Sequence, residues 1–235
     1  MKPQTGPLFY ELLYHEYIDR LENPEFWHYY EDPEVRDELT ALTDACLLDI
    51  IRTADRIYIS GRIGNGLFTK NNMDFRKDIS ANGTVRSADI DLIEYLAIYL
   101  LKIFFCGEGA DPLCRDFISK EEFIKEFTEH CMHYENKGNA CMEEFADNFI
   151  TLANTWINMK EGSPDSMKFD EKYGLLNRAL IKFDHAHDDI FFREESGNIR
   201  PTRKCKDKMP YVLRKDRVVE LNYIMQEVDE NAENQ

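Results

Sequence analysis

Apolar residues recur along most of this chain at three- and four-residue spacing, the period of a helix with one buried face. Leu8, Leu12, Leu13 and Ile18 predict a first helix from about Pro7 to Leu21. Asp32 then stands as a cap before Pro33, and Val35, Leu39, Leu42, Cys46, Ile50, Ala54 and Ile57 carry one stripe onward. That pattern predicts a long second helix ending near GRIGNG at 61–66. Between the two, NPEFWHYYEDPE (23–34) reads as an aromatic loop closed by two prolines.

Further helices are expected at 87–106, from Ser119 to about Tyr134 with Ser119 and Glu122 as a capping box, and at about 139–159, 170–192 and 215–228. Residues 61–86 hold four glycines among Asn, Asp and Ser, and read as one long loop. KEGSPDS (160–166) reads as a linker turn, and 193–210 as a basic, irregular stretch. No internal repeat is legible. The sum is an all-α fold: an antiparallel bundle of about seven helices with one long loop near 61–86. It forms a single domain over 1–228, followed by a disordered acidic tail at 229–235.

Composition supports this picture. The 235 residues include only 11 Gly and 8 Pro, and 43% are hydrophobic, enough for a proper core. Charge changes it more. A formal net charge of −16 repels a phosphate backbone, so non-specific nucleic-acid binding is disfavoured. An acidic protein can still hold nucleotides through metal ions or bind a basic protein, but solubility is the plain reading of the charge. A protein partner is expected, and a homo-oligomer stays open. MKPQTGPLFYELLYHEYIDR lacks the charged and apolar regions of a secretory signal, so an intracellular protein is expected, cytoplasmic or nuclear. The most apolar run, 91–107, is short and carries Glu94 and Lys102, which predicts a buried helix and no membrane span. The six cysteines are spaced unlike a zinc site and read as reduced thiols, Cys46 and Cys141 on apolar helix faces.

One stretch concentrates candidate chemistry. Glu126 and Glu129 sit three apart on one predicted helix, and Glu144 and Asp147 do the same on the next. On antiparallel neighbours the two acid pairs could converge, and four carboxylates need a cation such as Mg²⁺. The pattern EFTE (126–129), a spacer, then EFAD (144–147) resembles that of the all-α nucleotide pyrophosphohydrolases, the MazG and dimeric dUTPase group. The resemblance covers roughly 119–190. It implies Mg²⁺ held by the four acids, Lys182 on phosphate, and release of pyrophosphate from a nucleotide. The family's asparagine is matched here by Leu180. The same acids also suit the solvated faces of two ordinary helices.

Arg178 and His185, two turns apart on a predicted helix, are similar to the Arg–His motif of HEPN-type ribonucleases, which would use them as transition-state stabiliser and general acid or base. DHAHDD (184–189) offers further metal ligands only on non-helical backbone. The basic cluster RPTRKCKDK (200–208) reads as a solvated loop. The dense aromatic set from Phe9 to Tyr30 includes Trp27, Tyr29 and Tyr30, residue types enriched at interface cores. With no cofactor fingerprint in the residues themselves, the leading expectation is a helical module that acts by binding another protein. The Mg²⁺ pyrophosphohydrolase and the ribonuclease follow it, and the residues leave open whether the chain is an enzyme.

Overall fold

The computed structural model describes residues 1–62, 65, 76, 77, 79, 85–105, 113–137, 144–182 and 192–212. It corrects the all-α expectation. Two small antiparallel sheets of three strands accompany eight helices among the described residues. The chain divides into two compact units, Met1–Asp74 and Phe75–Gln235.

In the first unit, α1 (Thr5–His15) buries Leu8 and Leu12, one turn apart, and ends where Glu16 turns left-handed at φ 60°. β1 (Tyr17–Asp19) follows, where the first helix was expected to continue. The aromatic segment is a helix and not a loop: Pro24, in the first turn of α2 (Pro24–Glu31), starts it, and Trp27 and Tyr30 point inward. Asp32 accepts the Glu34 N–H at 2.9 Å and caps α3 (Pro33–Ala45), as the sequence predicts.

The long second helix stops sixteen residues short of its expected end. Leu47 adopts a left-handed φ of 54°, and the chain becomes a hairpin, β2 (Leu48–Arg52) and β3 (Arg56–Gly61). Ile50 and Ile57 fit a helical stripe, but Ile51, Tyr58 and Ile59 lie between them. An Ile- and Tyr-rich run of this kind suits a strand better than a helix. β3 is the central strand, pairing Tyr58 with Tyr17 of β1 and Ile59 with Ile50 of β2. Leu8, Leu12, Ile18, Trp27, Val35, Leu39 and Ile57 close the core of this unit.

The second unit opens with α4 (Ser87–Phe104), whose Leu92, Leu96, Leu100 and Phe104 form a fully buried ridge. β4 (Ile118–Ser119) leads into α5 (Lys120–Lys137), where Ser119 Oγ accepts the Glu122 N–H at 3.0 Å in the expected cap. Then come α6 (Glu144–Ile157) and α7 (Lys172–Lys182). The stretch expected to be irregular holds a hairpin, β5 (Phe192–Glu195) and β6 (Asn198–Pro201), and a helix, α8 (Arg203–Val212). Ser196 and Gly197 both have positive φ, the two-residue turn that matches strand twist. The basic cluster is therefore no solvated loop: Lys204, Cys205 and Lys208 are buried along α8. β6 is central, pairing Ile199 with Ile118 of β4 and with Glu194 of β5.

The two units share one plan that no sequence repeat announces. Each runs helix, strand, helices, hairpin, and in each the first strand lies against the last. The connectivity of the described elements is similar to that of a winged helix-turn-helix. Among the described residues the second copy has three helices between its first strand and its hairpin, where the first has two. Among the described residues no helix is long and apolar enough to cross a membrane. The expected helix at 215–228, the tail at 229–235 and most of the 61–86 loop lie outside the described residues.

Asp19 ties β1 to the hairpin. Its carboxylate accepts the Leu21 N–H at 2.9 Å and Arg56 Nε at 2.8 Å. The Leu21 N–H first, and the guanidinium beside it, hold Asp19 below the usual carboxylate range. A carboxyl depressed in the folded state stabilises above its unfolded pKa, near 4, and stops doing so as pH falls through the folded value. Asp19→Asn is expected to melt below the parent protein at pH 7. The gap should close below about pH 4 in calorimetric scans across pH.

Candidate functional site

A winged helix-turn-helix usually works through the last helix before its hairpin, which docks on a partner surface such as a nucleic-acid groove. In the first unit that helix is α3. Its outward stripe is Glu34, Asp37, Ala41 and Asp44, with Glu38 at the margin. Lys2 pairs with Glu34 at 2.7 Å and Arg62 with Asp44 at 2.5 Å, so the local cations are committed to this face and leave it acidic. A phosphate backbone would meet repulsion here.

In the second unit the last described helix before the hairpin is α7, and among the described residues it is packed on two sides. Leu175, Leu176 and Ala179 enter the core. The opposite side is covered by the connection from α6. Asn177 Nδ2 donates to the carbonyls of Pro164 (3.0 Å) and Ser166 (2.8 Å). Lys120 Nζ reaches the Pro164 carbonyl from α5 at 3.3 Å. Two loop carbonyls also satisfy the start of α7, Lys160 taking the Lys172 N–H and Glu161 that of Tyr173. A Cβ on Gly174 would lie 1.9 Å from the Lys168 carbonyl oxygen, so only glycine permits this close cover. The segment expected to be a linker turn is in fact the strap over this helix.

Buried cations complete the strap. Arg178 donates to the Met167 carbonyl and stacks on Phe169 at 3.7 Å, and burial lowers its pKa. Lys172 donates to Thr128 Oγ1 at 3.3 Å and lies over the Trp156 ring at 5.4 Å, and burial lowers its pKa too. Thr128 also accepts Trp156 Nε1 at 2.9 Å, which locks α5, α6 and α7 together.

The other residues singled out in the sequence fall as follows. Glu126 is held by a two-pronged pair from Arg115, at 3.0 and 3.1 Å, while Glu129 one turn on is exposed. Glu144 and Asp147 lie in the first turn of α6 and Lys182 ends α7, but their side chains are outside the described residues. His185 and all of DHAHDD lie outside them as well. Among the described residues no group of three or more His, Cys, Asp or Glu is arranged to hold a metal. Trp27 and Tyr30 are core residues, with Arg52 over both rings, and Tyr29 is half-buried. Cys131 and Cys205 are buried, burial pushing Cys131 up to about 12, whereas Cys46 is exposed and not on an apolar face. Cys106 and Cys141 lie outside the described residues.

The strap was missed because its contacts run to main-chain carbonyls, which the sequence does not mark. The available signal was Gly174, an isolated glycine inside a helical pattern.

The described residues form two units of like strand order, one with an acidic outer face on α3 and one with α7 covered by a strap. Residues 4–232 match a family of unknown function, DUF6063, and the chain belongs to that family. A comparison with curated proteins found no match.

Gly174→Ala is expected to lower stability by about 2 kcal/mol or more, seen as a fall of several degrees in melting temperature. Gly6→Ala is the control. A Cβ there meets only Met1 Cε at 4.0 Å, so its effect should stay within about 1 kcal/mol and be neutral or favourable.

Proposed function

We propose that this protein is an intracellular binding module whose partner is another protein. The observation that carries the reading is the state of the two docking helices, acidic in α3 and strapped in α7. A pair of winged units built to read nucleic acid needs cations on those helices to meet phosphate. Here Arg36 is the one cation of α3 and is half-buried, and Arg178 on α7 is buried against Phe169. With a net charge of −16 the whole chain points the same way.

The same geometry weighs against the two enzyme readings. Arg115 already neutralises Glu126, the first carboxylate a Mg²⁺ site would draw on. Arg178 spends its guanidinium on the strap, away from any phosphodiester. Affinity capture of the tagged, full-length protein from its native cells tests the proposal. One protein partner should be recovered in near-stoichiometric amount and stay bound after nuclease digestion. Loss of the partner on digestion would overturn the proposal. So would pyrophosphate release from a nucleoside triphosphate with Mg²⁺, or cleavage of single-stranded RNA without it.

A further inference from the structure

Two tyrosines stand out on the surface of the first unit. Tyr10 is 65% exposed and Tyr14 56% exposed, although Leu8 and Leu12 of the same helix are fully buried. The burial of those leucines fixes the rotation of α1 and turns the tyrosines outward. Their rings stack, with centroids 6.0 Å apart and planes within 12°. The cluster continues through His15, whose ring meets Tyr14 edge-on at 4.7 Å, to Glu11, 3.7 Å from His15 Nε2. The result is an exposed cluster of aromatic rings with a carboxylate at its side.

We infer that this Tyr10–Tyr14 face docks an arginine-bearing basic segment of another protein, the guanidinium lying on the tyrosine rings. The inference rests on the protein-binding reading above and names the chemistry of its partner.

Charge complementarity selects the occupant. Residues 1–62 hold thirteen Asp and Glu against six Lys and Arg, so a basic segment is drawn to this unit and an acidic one repelled. Aromatic faces select arginine over lysine, because a planar guanidinium stacks and an ammonium does not. The unit already makes this contact internally. Arg56 lies 4.8 Å over the Tyr17 ring, and Arg20 and Arg52 lie 5.7 and 5.5 Å from the Trp27 ring. Tyrosine also gives large contact area with few rotatable bonds, as interface anchors do.

Fluorescence anisotropy with labelled (Arg-Ser)₄, (Lys-Ser)₄ and (Glu-Ser)₄ peptides tests this at physiological salt. The full-length protein should bind the arginine peptide several-fold more tightly than the lysine one and leave the glutamate peptide unbound. The double variant Tyr10→Ser, Tyr14→Ser changes no charge and leaves the buried Leu8 and Leu12 in place, so the protein should stay folded, checked by its melting temperature. It should weaken arginine-peptide binding roughly tenfold. Equal binding by parent and double variant, equal binding of the arginine and lysine peptides, or no binding at all overturns the inference. If the double variant still captures the parent's protein partner from cells, this face falls while the protein-binding reading stands.

Discussion

The Lys168 carbonyl lies where any other residue at 174 would place its Cβ. The closure of the second unit follows from that contact. It lets 160–171 lie flat on α7, so that Asn177 and Arg178 can reach the carbonyls of Pro164, Ser166 and Met167. It also places the Lys160 and Glu161 carbonyls on the opening N–H groups of the helix, which would otherwise need water. Backbone groups satisfied in this way are costly to expose again. The strap therefore belongs to the folded unit as firmly as the ridge on its other side.

The same plan is used twice, with the last described helix before the hairpin treated differently in each unit. The first unit keeps its docking helix in the open but lines it with Glu34, Asp37 and Asp44. The second buries its docking helix under a strap. What the first unit leaves exposed is aromatic and acidic, which suits a basic protein segment. In the second unit three cations face inward: Lys120 pairs with Glu194, Lys172 lies over Trp156 and Arg178 stacks on Phe169.

Two helix starts were legible in the sequence because each depends on one local side chain. They are marked by Asp32 before Pro33 and by Ser119 with Glu122, and both caps are present. The hairpins were not. The β2–β3 run satisfies a helical spacing through Ile50 and Ile57, while the β-branched and aromatic residues between them and the left-handed Leu47 decide for strands. The β5–β6 turn carried a usable signal in Ser196-Gly197, flanked by two short runs. Of the candidate site, the density of aromatic residues near the N-terminus was plain, but which rings face outward depends on how α1 is rotated by its core. Trp27 and Tyr30 turn in, and Tyr10 and Tyr14 turn out. The shared topology of the units could not be read, since it resides in strand order and not in matching residues.

On this reading neither α3 nor α7 is expected to meet nucleic acid. Titration of the full-length protein against labelled duplex DNA and single-stranded RNA, at low salt and at about 0.15 M, tests it most directly. The account predicts no saturable binding to either at either salt concentration. Saturable binding that weakens steeply as salt rises, the mark of phosphate contacts, would contradict it.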